Sequence, residues 1–310
     1  GTNGSASMKS MDWQLTLMVS IPILFLLVFN YLPMFGLRLA FVDKYIYSEG
    51  IWRSPWGGLK WFRYMFQSLP EFQRAFVNTL IIAVSKLVFG FPVPIIVALL
   101  LNEVKSVAAK KLIQTAIYLP YFLSWVLLGG IMKNIFQQGG VFDSIVTAFG
   151  GTPKLWLQDN STFVPILVIS DIWKGFGFGT IIYLAGLTNV DPNLYEAAEI
   201  DGCSPMGIFF KIVLPLSKAA LASIGLMFAV TVWNDYSTVK IYITNPDQVN
   251  FQYQLRNMIM DGDTPTTQYS VSQNTLFYAA IVCAILPFMA LYPFLQKYFV
   301  KGVNIGAVKE

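Results

Sequence analysis

Six stretches of this 310-residue chain are each long and apolar enough to cross a lipid bilayer, and that constrains the fold more than anything else in it. A crossing helix needs about 20 apolar residues. The stretches run from about Leu15 to Phe41, Ala75 to Leu101, Leu112 to Phe136, Phe163 to Leu187, Ala219 to Ile243 and Thr275 to Phe294. Proline interrupts several of them, at Pro22, Pro33, Pro92, Pro94, Pro120 and Pro287. In a membrane helix these predict kinks that neighbouring helices absorb. No strand-period alternation repeats along the chain, which excludes a transmembrane barrel. The expectation is an all-α membrane protein with six transmembrane helices. It forms a single domain over residues 11–310, after a tag or flexible tail over 1–10.

Composition agrees, with 55% hydrophobic and only 12% charged residues. A soluble domain carries about a quarter charged residues, so this chain lacks the means to wet its own surface. Histidine is absent, which removes the commonest general base and metal ligand. Cys203 and Cys283 are the only cysteines, too few for a disulfide framework or a thiolate metal site. No phosphate-binding G-x-x-x-x-G-K-[ST] loop occurs. No basic run with interleaved aromatics points to nucleic acid.

Lysine placement sets the expected orientation. Lys105, Lys110 and Lys111 in one short loop, and Lys297, Lys301 and Lys309 in the tail, fall on one side of a six-span count. That side holds both termini and the loop over about 190–217, and it reads as cytoplasmic. The loop over 42–74 votes against, with Lys44, Arg53, Lys60, Arg63 and Arg74 left outside. Its WRSPWGGLKWFRYMF segment mixes aromatic and basic residues, as suits a helix at the membrane surface or a docking face for an external partner.

The 190–217 loop is the dense polar block of the second half. Asp191–Pro192 is a helix start, with a capping carboxylate and a proline in the first turn. The predicted helix 193–201 stops at Gly202, suited to a left-handed C-terminal cap. Ser204–Pro205 starts a second helix that runs to Leu214 before Pro215. Ala197 and Ala198 give a low-relief face, and Glu196 and Glu199 offer carboxylates to a partner's cations. A solvated connecting loop is the plainer reading.

Glu196, Ala197, Ala198, Asp201 and Gly202, followed by Ile212, Leu214 and Pro215, resemble the loop by which the permeases of type I ABC importers grip their ATPase subunits. GIWRSPWGGLKWF, FVNTLIIAVSKLVFGFPVPIIVALLLNEV, IYLPYFLSWV and the ending YPFLQKYFVKGVNIGAVKE resemble the carbohydrate-uptake group of that family. The resemblance covers nearly the whole chain and extends to importers of acidic polysaccharides such as alginate. It implies a type I importer permease fold in a bacterial inner membrane and no catalysis or cofactor on this chain. The implied partners are a second, preferably non-identical permease, an extracytoplasmic substrate-binding protein and two ATP-binding cassette subunits that hold ATP and Mg. Membrane lipid and an oligo- or polysaccharide cargo complete the set.

Charged groups at bilayer depth are costly and therefore functional suspects. The fourth stretch holds Asp171, Trp173 and Lys174, with Asp171 and Lys174 one turn apart and able to neutralise each other. Glycines 175, 177 and 179 permit close helix approach there. The fifth holds Trp233, Asn234, Asp235 and Tyr236, the mixture of aromatic faces, amide and carboxylate that sugar sites use. Tyr183 joins these as a pathway candidate, with Asn78, Lys86, Asn134, Asn274 and Tyr278 weaker ones. A structural ion pair and a gating cluster are the competing roles. A self-contained ion-coupled sugar carrier, using Asp171, Lys174 and Asp235, is the alternative function; the lack of a convincing internal repeat speaks against it. A membrane receptor or scaffold is a third.

Overall fold

The computed structural model describes residues 4–187, 198, 202–203, 205–208, 210–211, 214–216, 218–260 and 273–307. Among them the secondary structure is helical, save one isolated antiparallel bridge between Val42 and Trp56. The chain divides into two compact units, Gly1–Leu69 with Met258–Ile285, and Pro70–Asn257 with Leu286–Glu310.

Among the described residues, four helices are long and apolar enough to cross a membrane: Trp13–Phe41, Pro70–Asn102, Asn160–Leu184 and Thr275–Pro293. The first is exposed along its whole length from Trp13 to Phe35. An apolar helix bare on every side is stable only where its surroundings are themselves apolar. In the first unit, α1 (Gly4–Leu26) leads through a wide π-turn at Leu27–Tyr31 into a tighter 3-10 helix, Leu32–Phe41. After it the chain folds back on itself. Trp61 donates its indole N–H to the Val42 carbonyl at 2.7 Å, Lys60 pairs with Asp43 at 2.5 Å, and Phe41 stacks on Trp56 at 5.5 Å. The short α2 (Lys60–Ser68) closes this segment, burying Trp61 and Met65.

In the second unit, α3 (Pro70–Ser85) and α4 (Pro92–Asn102) form one long helix with a π-turn between them at Lys86–Gly90. Both π-turns have the same cause. Pro33 and Pro92 lack an amide hydrogen, and their rings press on the carbonyl four residues earlier, at Phe29 and Val88. Each of those carbonyls lies inside the widened turn, so the ladder loosens there instead of breaking.

The third apolar stretch does break. α5 (Val107–Tyr118) tightens through Leu119–Phe122, and α6 (Trp125–Phe136) starts afresh, its axis joining a pair bent by 91°. A kink absorbed by neighbours was expected at Pro120. Instead the Ser124 side chain caps a new helix by accepting the Leu127 amide at 3.1 Å, so two ends replace one bend.

α7 (Val141–Ala148) and an ordered connection lead to α8 (Asn160–Leu187), the central helix of the unit. Asp143 fastens that connection by accepting from the Gly139 and Lys154 amides and the Trp156 indole. The core gathers Ile82, Leu157, Phe163, Ile166, Leu167, Val239 and Tyr242. α8 lies close along α4 and α5. A β-carbon on Gly177 would stand 2.0 Å from the Ile117 carbonyl oxygen and one on Gly179 3.0 Å from the Pro94 ring, whereas Gly175 meets nothing. Two of the three glycines therefore permit backbone approach, as small residues do between membrane helices.

The fifth stretch is shorter than expected. α9 (Lys218–Trp233) stops before Asn234, and α10 (Ser237–Tyr242) follows a three-residue link instead of the helix continuing to Ile243. α11 (Phe251–Met260) and α12 (Gln273–Ala307) complete the chain.

Candidate functional site

The break after Trp233 exists because Asp235 has better partners than a helix would give it. One carboxylate oxygen accepts the Thr238 amide at 3.0 Å, starting α10. The other accepts Lys86 at 2.7 Å, and Lys86 also reaches Asp171 at 3.1 Å. Lys86 is 1% exposed and stands in the π-turn between α3 and α4, so one ammonium ties that turn to α8 and to the link after α9. The Asn250 side chain secures the node by donating to the Asp235 carbonyl at 2.6 Å.

Lys174 is not the hydrogen-bonding partner of Asp171. It donates instead to the Tyr121 carbonyl at 2.6 Å, and its ammonium lies 5.2 Å from the Tyr121 ring and 5.3 Å from that of Trp125. A carbonyl at the end of a helix has no partner within it, and here Lys174 supplies one at the 91° break. Lys86, Lys174, Asp171 and Asp235 thus carry two charges of each sign. Lys86 occupies both carboxylates by contact, and Lys174 is held by a dipole and two aromatic faces.

Beside this set lies a cavity of about 830 Å³, whose lining includes Tyr121, Trp125, Asp171, Lys174, Phe178 and Tyr183. Tyr121 and Phe178 stack at 4.5 Å with planes 10° apart. The cavity therefore presents aromatic faces with a cation and a carboxylate at its wall.

Of the residues singled out from sequence, Asp171, Lys174 and Tyr183 meet at this cavity. Trp173 lies outside its lining and is half exposed. Trp233 is 4% exposed, its ring edge-on to Phe76 and Phe288 at 6.1 and 5.9 Å, in a packed position. Asp235 belongs to the Lys86 node, while Asn234 and Tyr236 turn toward α11, where Gln252 donates to the Asn234 side-chain carbonyl at 3.1 Å and Tyr253 stacks on Tyr236 at 5.8 Å. Tyr121, Trp125 and Phe178 escaped sequence reading because aromatics in apolar runs look like packing.

In the polar loop, Glu196, Ala197, Asp201 and Ile212 lie outside the described residues. Ala198 is buried. Gly202 has φ +75°, and the Cys203 amide donates to the Ala198 carbonyl at 2.9 Å. That five-residue reach over a left-handed glycine is the Schellman closure of a helix end. Pro205–Ile208 is helical, and Pro215 lies within the helical turn Leu214–Leu216.

Among the described residues no group of three or more His, Cys, Asp or Glu side chains could hold a metal. Long apolar helices enclose a charge-balanced buried set beside an aromatic cavity, as in a membrane protein. The chain belongs to the family of binding-protein-dependent transport system inner membrane components, whose model matches residues 90–305. It is 38% identical to protein LplB of Bacillus subtilis strain 168 over 222 residues, 71% of this chain and 69% of that one. It is 40% identical over 208 residues to the polygalacturonan/rhamnogalacturonan transport system permease protein YteP of the same strain, 67% of this chain and 64% of that one. Its fold is similar to a chain in the crystal structure of a bacterial ABC transporter involved in the import of the acidic polysaccharide alginate. There the TM-score is 0.74 at 28% identity, covering 94% of this chain and 96% of that one.

Proposed function

We propose that this chain is the permease half of an ABC-type carbohydrate importer and moves an oligo- or polysaccharide across a bacterial inner membrane. The family match over 90–305 carries the reading, and the relatives that handle polygalacturonan and alginate supply its cargo class. Six crossings are reached when the bent pair and the shorter apolar helix ending at Trp233 are added to the four long helices. Lysine placement puts both termini in the cytoplasm.

A second permease, preferably non-identical, completes the pathway. An extracytoplasmic binding protein delivers the saccharide, and two ATP-binding cassette subunits hold ATP and Mg. The force enters through the loop from Glu196 to Pro215. The left-handed Gly202 and the Cys203–Ala198 hydrogen bond across it support its role as a stiff knob. Asp171, Lys174 and Tyr183 then line the pathway with Tyr121, Trp125 and Phe178, since aromatic faces stack on sugar rings while charged groups bind hydroxyls.

Uptake in proteoliposomes tests this. The chain co-assembled with its partner permease, ATPases and binding protein should take up saccharide on ATP addition, and Glu196→Lys should abolish that uptake or uncouple hydrolysis from it. Uptake by the chain alone that collapses with an ionophore would instead make it an ion-coupled carrier.

A further inference from the structure

Two cations of the second unit stand over one aromatic ring, and among the described residues no carboxylate answers them. The Lys240 ammonium lies 5.3 Å from the centre of the Tyr236 ring and the Arg256 guanidinium 4.6 Å from it. Among the described residues neither forms an ion pair. Tyr253 stacks on the same ring, at 5.8 Å with planes 22° apart. Beside the rings the Gln252 and Asn234 amides bond to each other at 3.1 Å. Lys240 and Arg256 are exposed, and both tyrosines are partly so. Two like charges gathered on one ring repel, and at exposed sites cation–π attraction is weak. An anion between them would relieve that repulsion.

Tyr253 also lines a second cavity, of about 450 Å³, walled by Glu71, Arg74, Thr244, Asn245, Asp247, Gln254 and Asn257 among others. Asp247 is occupied by Arg74, and Asn78 donates to the Asp247 and Val249 carbonyls behind it. Counting Glu71, the five ionised groups of platform and cavity leave one net positive charge. Amides, a hydroxyl and a tyrosine ring around a small polar hollow suit a hydroxyl-rich ring, and the two cations beside it suit a carboxylate.

We propose that Tyr236, Lys240, Tyr253 and Arg256, with the polar cavity at Tyr253, form an outer subsite for an anionic saccharide. A sugar ring rests against the tyrosines, and its uronate carboxylate is held by Lys240 and Arg256. The subsite follows the fifth apolar stretch, on the face opposite the Gly202 loop in a six-span count, where cargo arrives before it enters the membrane. It rests on the carbohydrate reading and narrows it to uronate-bearing chains. The basic groups alone would also suit an anionic lipid headgroup; the amide-lined hollow favours the sugar.

The assembled complex in vesicles, given oligogalacturonate or its full methyl ester on the outside, tests the subsite. The two probes differ only in whether the carboxylates are free. The Lys240→Gln/Arg256→Gln variant should lower the ratio of acid to ester uptake about tenfold, the loss expected for removing charge-assisted hydrogen bonds. Arg256→Lys alone should keep part of that ratio, because it keeps the charge. An unchanged ratio overturns the proposal, and so does a loss that affects acid and ester equally. A loss seen only in vesicles containing phosphatidylglycerol, and absent in phosphatidylcholine, assigns the cations to lipid and also overturns it. If the wild-type complex takes up the ester and no acid, the subsite falls while the carbohydrate reading stands. If it takes up no saccharide at all, both fall.

Discussion

Lys86 is the residue on which most depends. Its ammonium is fully buried between two carboxylates, and removing one partner of a buried charged set costs about 3–5 kcal/mol, because the others stay behind unpaired. Lys86→Met should therefore lose most of its folded, monodisperse protein in a detergent thermal-stability assay. Adding Asp171→Asn and Asp235→Asn to it should restore part of the loss, since the two carboxylates then no longer stand buried without their cation. A milder electrostatic effect belongs to Asp159, outside the membrane. Hydrogen bonds from Lys154, and then from Ser161, hold its carboxyl well below the usual carboxylate range. A depressed folded pKa gives a contribution that is complete above about pH 4, the unfolded value, and is lost as pH falls through the folded one. The hydrogen-exchange protection factors over 152–162, taken relative to the intrinsic rate at each pH, should therefore fall on acidification, and less so in Asp159→Asn. Lys86 was legible as a membrane lysine, but its weight was not. Its partners stand 85 and 149 residues away along the chain, beyond any local pattern.

At the scale of elements, the long crossings were readable because length and hydropathy alone decide them. The two departures share a cause. At Pro120 and at Asn234 the apolar run continues in sequence while the helix stops in space, because a polar side chain gives the backbone somewhere else to bond. Ser124 does so for the Leu127 amide and Asp235 for the Thr238 amide. Apolar periodicity does not register such competition. Close approach was legible as a run of glycines but not by position. Gly177→Val should force α8 from α5, lowering yield and stability, whereas Gly175→Ala should be tolerated; fluorescence-detected size exclusion distinguishes them. At Gly202 the left-handed backbone makes alanine unfavourable by about 1 kcal/mol. Gly202→Ala should weaken retention of the ATPase subunits on an affinity column and leave membrane insertion intact.

At the scale of the molecule, the surface divides by chemistry. Trp13 heads a helix bare along an apolar length, whereas Trp52 and Trp56 sit exposed in a segment that also exposes Arg53 and Lys60. Tryptophans so placed gather at the membrane–water boundary. Fluorescence of variants keeping only Trp52 or Trp56 should be quenched strongly by lipids brominated near the carbonyl group and weakly by those brominated near the chain end.

The Lys174 bond to the Tyr121 carbonyl has a consequence for how such chains can diverge. The bend at 120–124 and the ammonium that satisfies it are separate in sequence but form one inherited unit. A lineage that lost Lys174 would keep the bend only by finding another donor for that carbonyl, and one that replaced Pro120 and straightened the helix would have no use for the lysine. Positions 120, 121 and 174 should therefore change together among relatives, as contacting positions do.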